Sequence, residues 1–245
     1  MKVIITRPSP DAEAFAAMIA AAGVEAVLSP VMAIRPRKAA IDLAGIGALA
    51  FTSANGVRAF AAQSAERALP VFAVGAVTAA AARDAGFAAV SIAAGDVESL
   101  AALIARSKPP SPLLHLAGSE RAGDLIKSLG EKSVEARRAV IYDAVEIAEI
   151  SAPAAAALDE NAEDCVVVFF SPRSARLFAR QAEKAGVSDR LARATALALS
   201  APIADAAGEI QWARLEVAPE RSAEAMASLV AAEFSARKGR MAKPR

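Results

Sequence analysis

Short apolar runs alternate along the chain with alanine-rich segments that carry spaced charges. The runs are rich in β-branched residues and show little polar alternation, which is typical of strands buried on both faces of a parallel sheet. The segments between them, such as residues 11–22, are typical of helices. The alternation predicts an α/β fold with parallel sheets flanked by helices. The predicted strands lie at residues 3–5, 24–28, 48–52, 71–74, 113–116, 166–170 and 195–199.

The chain also contains an internal repeat. Residues 51–63 are identical to residues 169–181 at six of 13 positions, and the matches include Phe, Ser, Arg and Gln, which an alanine-rich composition does not explain. A second pairing sets residues 72–79 against residues 197–204. The repeat predicts two similar, flavodoxin-like α/β halves.

The repeated units occur in a cyclically shifted order, which predicts that one domain is inserted into the other. Two extended connectors would then join the domains as a two-stranded linker, and such a hinge permits closure around a ligand. The expected boundaries are residues 1–34 plus 150–236 for domain 1, 41–139 for the inserted domain 2, 35–40 and 140–149 for the connectors, and 237–245 for a basic tail.

Charge and composition limit the possible functions. The chain has 28 basic and 27 acidic side chains, and its last nine residues hold five basic ones and no acid, which leaves 23 basic against 27 acidic in the rest. A nucleic-acid role would depend on that tail alone, and we expect the tail to be a solvated, disordered terminus instead. One cysteine and one histidine supply neither an internal disulfide nor a zinc site, which excludes a metal held by Cys and His ligands but not one held by carboxylates, and we expect no metal.

Neither membrane insertion nor secretion is expected. Mean hydropathy is +0.35, yet the longest stretches without a charged side chain, residues 43–57 and 68–82, are 15 residues long. A spanning helix needs about 18 apolar residues or more. The opening apolar run of three residues ends at Thr6, Arg7 and Pro8, unlike a signal peptide. We therefore expect a cytoplasmic protein.

Small polar residues follow most predicted strands at the point where a helix begins. Helix amino termini carry free backbone N–H groups and partial positive charge, so they bind carboxylates or phosphates. Ligands of open α/β sheets bind at this edge. The alternative is that the serines and threonines are ordinary helix caps. The candidate anion-binding residues are Ser53, Ala54, Asn55, Gly75, Thr78, Gly118, Ser119, Ser171, Pro172, Arg173 and Ser200.

Three further side chains have a distinct chemistry. Arg7 follows the first strand and could form paired hydrogen bonds to a carboxylate, although a surface ion pair explains it equally well. Tyr142 is the only tyrosine and falls in a predicted connector, where its hydroxyl could donate a hydrogen bond or act as a weak acid, or where its ring could simply pack. His115 lies inside an apolar strand and is expected to be structural.

These motifs, taken in order over about 230 residues, resemble the uroporphyrinogen-III synthases of tetrapyrrole biosynthesis. The opening Thr6-Arg7-Pro8 is similar to the start of that family, and the sequence Phe-Thr-Ser-Ala-Asn-Gly-Val at residues 51–57 is similar to its most characteristic block. Residues 73–79 and the Phe-Phe-Ser-Pro of residues 169–172 resemble two further blocks.

The resemblance implies a fold and a reaction. The fold would be two α/β domains joined by a two-stranded ladder, in a monomer that needs no cofactor. The reaction would be a lyase reaction that cyclises the linear tetrapyrrole hydroxymethylbilane, inverts its last pyrrole ring and releases water. The substrate carries eight carboxylates, which agrees with helix ends suited to anions.

The resemblance also implies roles for individual residues. Tyr142 is similar to the family's tyrosine that assists departure of the hydroxyl, and Thr78 to the threonine that lines its cleft. Ser53, Ser119 and Ser171 would hold carboxylates.

The chain departs from the family pattern in two places. Ser200 and Ile203 replace the glycine and threonine expected in the second domain, and Ala144 replaces a threonine near the hinge. The change at residues 200–203 favours the rival hypothesis, a noncatalytic two-domain protein that closes around an anionic metabolite.

Overall fold

A computed structural model describes residues 1–38, 40–120 and 123–241. Internal contacts divide the chain into two compact units, one formed by Met1–Ala33 with the chain from Val145 onward and the other by Ile34–Ala144. Each unit has a sheet of mainly parallel strands flanked by helices, so the predicted fold class is confirmed. None of the described helices is long and apolar enough to cross a membrane.

The described residues form these strands and helices in chain order. The strands are β1 (Lys2–Ile5), β2 (Glu25–Leu28), β3 (Met32–Pro36), β4 (Ala48–Phe51), β5 (Val71–Ala73), β6 (Val90–Ile92), β7 (Leu113–Gly118), β8 (Ala136–Glu146), β9 (Cys165–Phe169), β10 (Thr195–Ala198) and β11 (Arg214–Val217). The helices are α1 (Asp11–Ala20), α2 (Ala54–Ala61), α3 (Ala76–Asp84), α4 (Val97–Ser107), α5 (Leu125–Gly130), α6 (Ala152–Asn161), α7 (Pro172–Lys184), α8 (Ser188–Leu191), α9 (Ala201–Ala207) and α10 (Ala223–Met241).

The unit that contains the chain start has a five-stranded sheet in the order β11-β10-β9-β1-β2, with every pair parallel. Phe15 of α1 and Met226 of α10 pack against one face. Phe169 of β9 meets the rings of Phe178 and Trp212 at centroid distances of 5.7 and 5.8 Å. Because helices cover both faces, β9 is a continuous apolar strand, as its sequence predicts.

The other unit has a six-stranded sheet in the order β3-β8-β7-β4-β5-β6. Helices α2 and α3 cover one face around Phe51 and Phe60, and α4 and α5 cover the other around Leu100 and Leu113. Alternate residues of β4 and β7 thus enter two separate apolar clusters, as the two-residue period of a strand requires.

A β-bulge interrupts the pairing of β7 with β8. Ala117 pairs with Val140, but the next residue, Gly118, pairs with Tyr142, which leaves Ile141 as an extra residue in β8. Bulges of this kind bend a strand and redirect its side chains. Ile141 and Tyr142 consequently both enter the cluster beneath α2 and α3.

The predicted connectors and tail contain regular structure. Strand β3 reaches Pro36 and strand β8 reaches Glu146, while residue 39 of the first connector lies outside the described residues. Helix α10 continues through Met241, so the prediction of a disordered terminus is wrong for residues 237–241. Arg237 is 14% exposed, donates to Glu233 Oε1 at 2.5 Å and donates to Thr195 Oγ1 at 3.0 Å. Residues 242–245 of the predicted tail lie outside the described residues.

Candidate functional site

The carboxyl end of β4 carries the turn that begins α2. Ser53 Oγ accepts a hydrogen bond from Asn55 N at 3.1 Å, so it caps the helix. Asn55 Oδ1 in turn accepts from Arg58 Nη2 at 2.6 Å, and Ala54 is buried. Ser53 therefore has the capping role that was the alternative to anion binding, while the remaining N–H groups of the first turn are the feature that suits an anion.

The carboxyl end of β5 differs because its helix has no side-chain cap. Gly75 occupies the cap position of α3 and offers no side-chain acceptor to the first N–H groups. Its Cα faces Gly95 closely enough that a Cβ at residue 75 would lie 3.4 Å from Gly95 Cα. Thr78, one turn into the helix, is buried, whereas Val77 is 52% exposed. Of the two helix ends, this is the one whose first N–H groups receive no side-chain cap.

Tyr142 lies in a slot formed by two glycines. A Cβ added at Gly118 would lie 2.8 Å from Tyr142 Cε2, and one at Gly56 would lie 2.9 Å from Leu116 O and 3.7 Å from Tyr142 Cε1. The ring is only 9% exposed. Within the described part of the chain, the Tyr142 hydroxyl has no hydrogen-bond partner. The ring is thus held by packing against backbone, and its hydroxyl stays uncommitted.

Ser119 is bound to the same segment. Its N–H donates to Tyr142 O at 3.0 Å. Asp143, which follows Tyr142, accepts a hydrogen bond from Arg37 Nε at 2.7 Å. The hydrogen bond from Arg37 lowers the pKa of Asp143 most, and a hydrogen bond from the Ser119 hydroxyl lowers it further. The Ser119 hydroxyl therefore serves a carboxylate of the protein itself, which weakens its case as a ligand for a substrate carboxylate.

The turn after β1 holds Arg7 in a partly buried position. Its guanidinium carbon lies 4.4 Å from the centroid of the Phe170 ring, and Nη2 lies 3.1 Å from Asp11 Oδ2. The ring of Phe15 also packs edge-on against Phe170, with the two ring centroids 4.9 Å apart. Arg7 is therefore neither a simple surface ion pair nor a freely moving cation, since stacking and pairing both fix its plane.

The turns after β9 and β10 differ in their capping. Ser171 Oγ accepts from Ser174 N at 3.0 Å and lies 2.8 Å from Ser174 Oγ, which makes it a helix cap. Pro172 begins α7, where a missing N–H has no cost, and Arg173 follows it with partial exposure. Ser200 precedes α9 without a side-chain capping bond.

His115 is buried on the opposite face of the sheet from Tyr142. Its Nε2 lies 3.1 Å from Thr52 Oγ1, while its Nδ1 is buried with no hydrogen-bond partner among the described residues. The ring borders a cavity of about 20 Å³ that Arg138 and Glu120 also line, which is room for about one water molecule. Burial, and then the charge of Arg138, lower the pKa of His115 to about 4.

Sequence patterns missed two participants in this region, Arg138 and Asp143. Both lie on β8, the strand of Tyr142, and both contact the Gly118–Ser119 segment at the end of β7. Their one available signal was a pair of charges in a strand that is otherwise largely apolar.

Two parallel, helix-flanked sheets with polar turns at their carboxyl ends place the protein in the class of two-unit α/β proteins. Uroporphyrinogen-III synthetase from Helicobacter pylori 26695 shares this fold, with a TM-score of 0.67 and 18% identity over 94% of this chain and 98% of that chain. A mutant uroporphyrinogen III synthase from the extremely thermophilic bacterium Thermus thermophilus gives a TM-score of 0.52 and 17% identity over 96% and 99%. A comparison with curated proteins finds no significant match.

The family model described as uroporphyrinogen-III synthase HemD matches residues 13–228. This chain therefore belongs to the uroporphyrinogen-III synthase family. The resemblance predicted from the sequence blocks is confirmed, as are the predicted cyclising lyase class and its tetrapyrrole substrate.

Burial of His115 predicts a loss of stability in acid. In the folded chain its pKa is about 4, below the ordinary value of 6.5, so the unfolded chain binds more protons between these values. Stability is then full above about pH 6.5 and falls as the pH drops toward 4, by about 3 kcal/mol for this group. Urea unfolding of the native chain and of His115→Gln at pH 7 and pH 4.5 measures this difference. An equal acid loss in both chains would contradict it.

The glycine slot predicts that Gly118→Ala perturbs the tyrosine. The added methyl group requires the ring or the strand end to shift, at a cost of about 1–3 kcal/mol in the free energy of unfolding. Gly130→Ala is the matched control, because a Cβ at that position meets nothing within 4 Å. Gly118→Ala should lower the free energy of unfolding and change the near-ultraviolet circular dichroism, whereas Gly130→Ala, a glycine-to-alanine change in a helix, should not lower that free energy and should leave the spectrum unchanged.

Proposed function

We propose that this chain cyclises hydroxymethylbilane to uroporphyrinogen III, with inversion of the last pyrrole ring and loss of water. Membership of the synthase family supports an enzyme, and none of the comparisons favours the alternative of a noncatalytic protein that closes around an anionic metabolite. The observation that carries the proposal is the position of Tyr142. Its ring is fixed in a glycine slot while its hydroxyl has no partner among the described residues.

Tyr142 would assist the departure of the substrate hydroxyl. A hydrogen bond or proton from the phenol lets that group leave as water, and the substrate becomes an electrophilic azafulvene. The substituted carbon of the last ring then attacks to give a spiro intermediate, which reopens and recloses as the inverted isomer. The remaining demand on the protein is to hold the chain so that this attack precedes direct closure.

The substrate carboxylates would bind at the polar turns of each unit. The bare amino terminus of α3 at Gly75, with Thr78 one turn along, is the strongest candidate because no side chain of the cap occupies its N–H groups. Arg7 would offer a guanidinium already oriented by Phe170. The other proposed contacts are Ser53, Ala54, Asn55, Gly118, Ser119, Ser171, Pro172, Arg173 and Ser200.

We further propose that the protein works as a cytoplasmic monomer without a cofactor or a nucleic-acid or membrane partner. Its domains would be residues 1–34 plus 150–236 and residues 41–139, with residues 35–40 and 140–149 as connectors. The two compact units, which divide at residues 33/34 and 144/145, support this organisation.

Turnover of freshly generated hydroxymethylbilane tests the proposal. The native chain should give type III porphyrin after oxidation, and Tyr142→Phe should lower kcat about 100-fold because it lacks the donor but keeps the ring. Exclusive type I porphyrin from the native chain would exclude the synthase function. Full turnover and unchanged isomer purity in Tyr142→Phe would exclude the tyrosine role alone.

A further inference from the structure

Arg138 reaches from β8 to the end of the neighbouring strand β7. Its Nη2 donates to Gly118 O and lies 3.4 Å from Ser119 O, and the side chain is partly buried. Gly118 is the last residue of β7, just past the register shift, and Ser119 follows the strand, so their carbonyls lie where the regular ladder is interrupted or over. One guanidinium thus supports two successive peptide groups.

The same two peptide groups position Tyr142. Gly118 provides the surface on which the ring lies, and the N–H of Ser119 donates to the carbonyl of Tyr142 at 3.0 Å. Arg138 and the tyrosine ring therefore contact one dipeptide from opposite faces of the sheet. The bulge at Ile141 interrupts the ladder at this point, so the dipeptide depends more on side-chain hydrogen bonds than a regular strand does.

We propose that Arg138 is a positioning residue for Tyr142. By holding the carbonyls of Gly118 and Ser119, it fixes the surface beneath the ring and so the place of the hydroxyl. A displacement of about 1 Å in a reacting group can reduce a rate by up to about 100-fold. The inference rests on the proposed role of Tyr142 in the departure of the substrate hydroxyl.

Among the residues that the structure describes, the other charges near this segment do not replace Arg138. Asp143 is paired with Arg37, and this pair meets the Ser119 side chain and not the two carbonyls. His115 borders the same small cavity as Arg138, but its Nε2 lies against Thr52. A lysine at residue 138 would keep the charge but lose the planar guanidinium, whose Nη2 donates to both carbonyls.

The kinetic test compares Arg138→Gln and Arg138→Lys with Arg137→Gln. Arg137 precedes Arg138 on β8 and is exposed, so its substitution makes the same change of charge without touching the strand end. We expect Arg138→Gln to lower kcat about 10-fold with KM changed less than about twofold, and Arg138→Lys to recover part of the loss. Arg137→Gln should equal the native chain. Equal kinetics for Arg138→Gln and Arg137→Gln would overturn the inference.

A double-mutant cycle separates this inference from the proposed function. If Arg138 acts through the tyrosine, adding Arg138→Gln to Tyr142→Phe should cost less than about twofold. Losses that multiply in full would show an independent action of Arg138 and overturn the inference while the tyrosine role stands. Full activity of Tyr142→Phe alone would overturn the tyrosine role and the inference with it.

A spectroscopic test needs no turnover. Tyr142 is the only tyrosine of the chain, so ring-labelled tyrosine gives the NMR signals of this one side chain. Arg138→Gln should shift or broaden those signals, and Arg137→Gln should leave them in place. The thermal midpoint of each variant shows that it is folded at the temperature of the measurement. An unchanged tyrosine spectrum in Arg138→Gln would contradict positioning.

Discussion

One extra residue in β8 is the constraint on which the candidate site depends. Successive side chains of a strand point to opposite faces of its sheet. Without the bulge at Ile141, the side chain of residue 142 would therefore lie on the same face as Arg138 and Val140, under α4 and α5. The bulge turns the tyrosine to the other face, where Gly56 and Gly118 leave room for its ring. A side chain at Gly118 would close the space that the bulge makes usable, whereas a Cβ at Gly56 would clash with Leu116 O and only touch the ring.

The charges of this region bind backbone and one another more than they bind the tyrosine. Arg138 holds strand-end carbonyls, and Asp143 is paired with Arg37. No described residue forms an ion pair or hydrogen bond with the phenol. Such a site has a fixed shape and little acid–base machinery, which suits a reaction decided by the conformation of a reactive chain.

The sequence predicts the buried parts of this fold closely and its edges poorly. Residues 48–52 and 166–170 correspond to Ala48–Phe51 and Cys165–Phe169, because a strand covered on both faces is a continuous apolar run. The strands at Val90–Ile92 and Arg214–Val217 were missed because they are short, partly exposed and of mixed polarity.

For the candidate site, local sequence predicted the capping turns, since Ser53 and Ser171 both cap helices that begin at the next residue. The contact of Arg138 with Gly118 joins residues 20 apart and depends on a register shift that hydrophobic periodicity does not encode, so the sequence could name the tyrosine but not what holds it.

The placement of the two largest polar aromatics has a practical consequence. The single tryptophan, Trp212, packs edge-on against Phe169 in the unit that contains the chain start, whereas the single tyrosine belongs to the other unit. Each unit thus contains its own natural chromophore. Tryptophan fluorescence excited at wavelengths that tyrosine does not absorb can therefore follow the melting of the unit that contains the chain start, in the unmodified protein and without an added label.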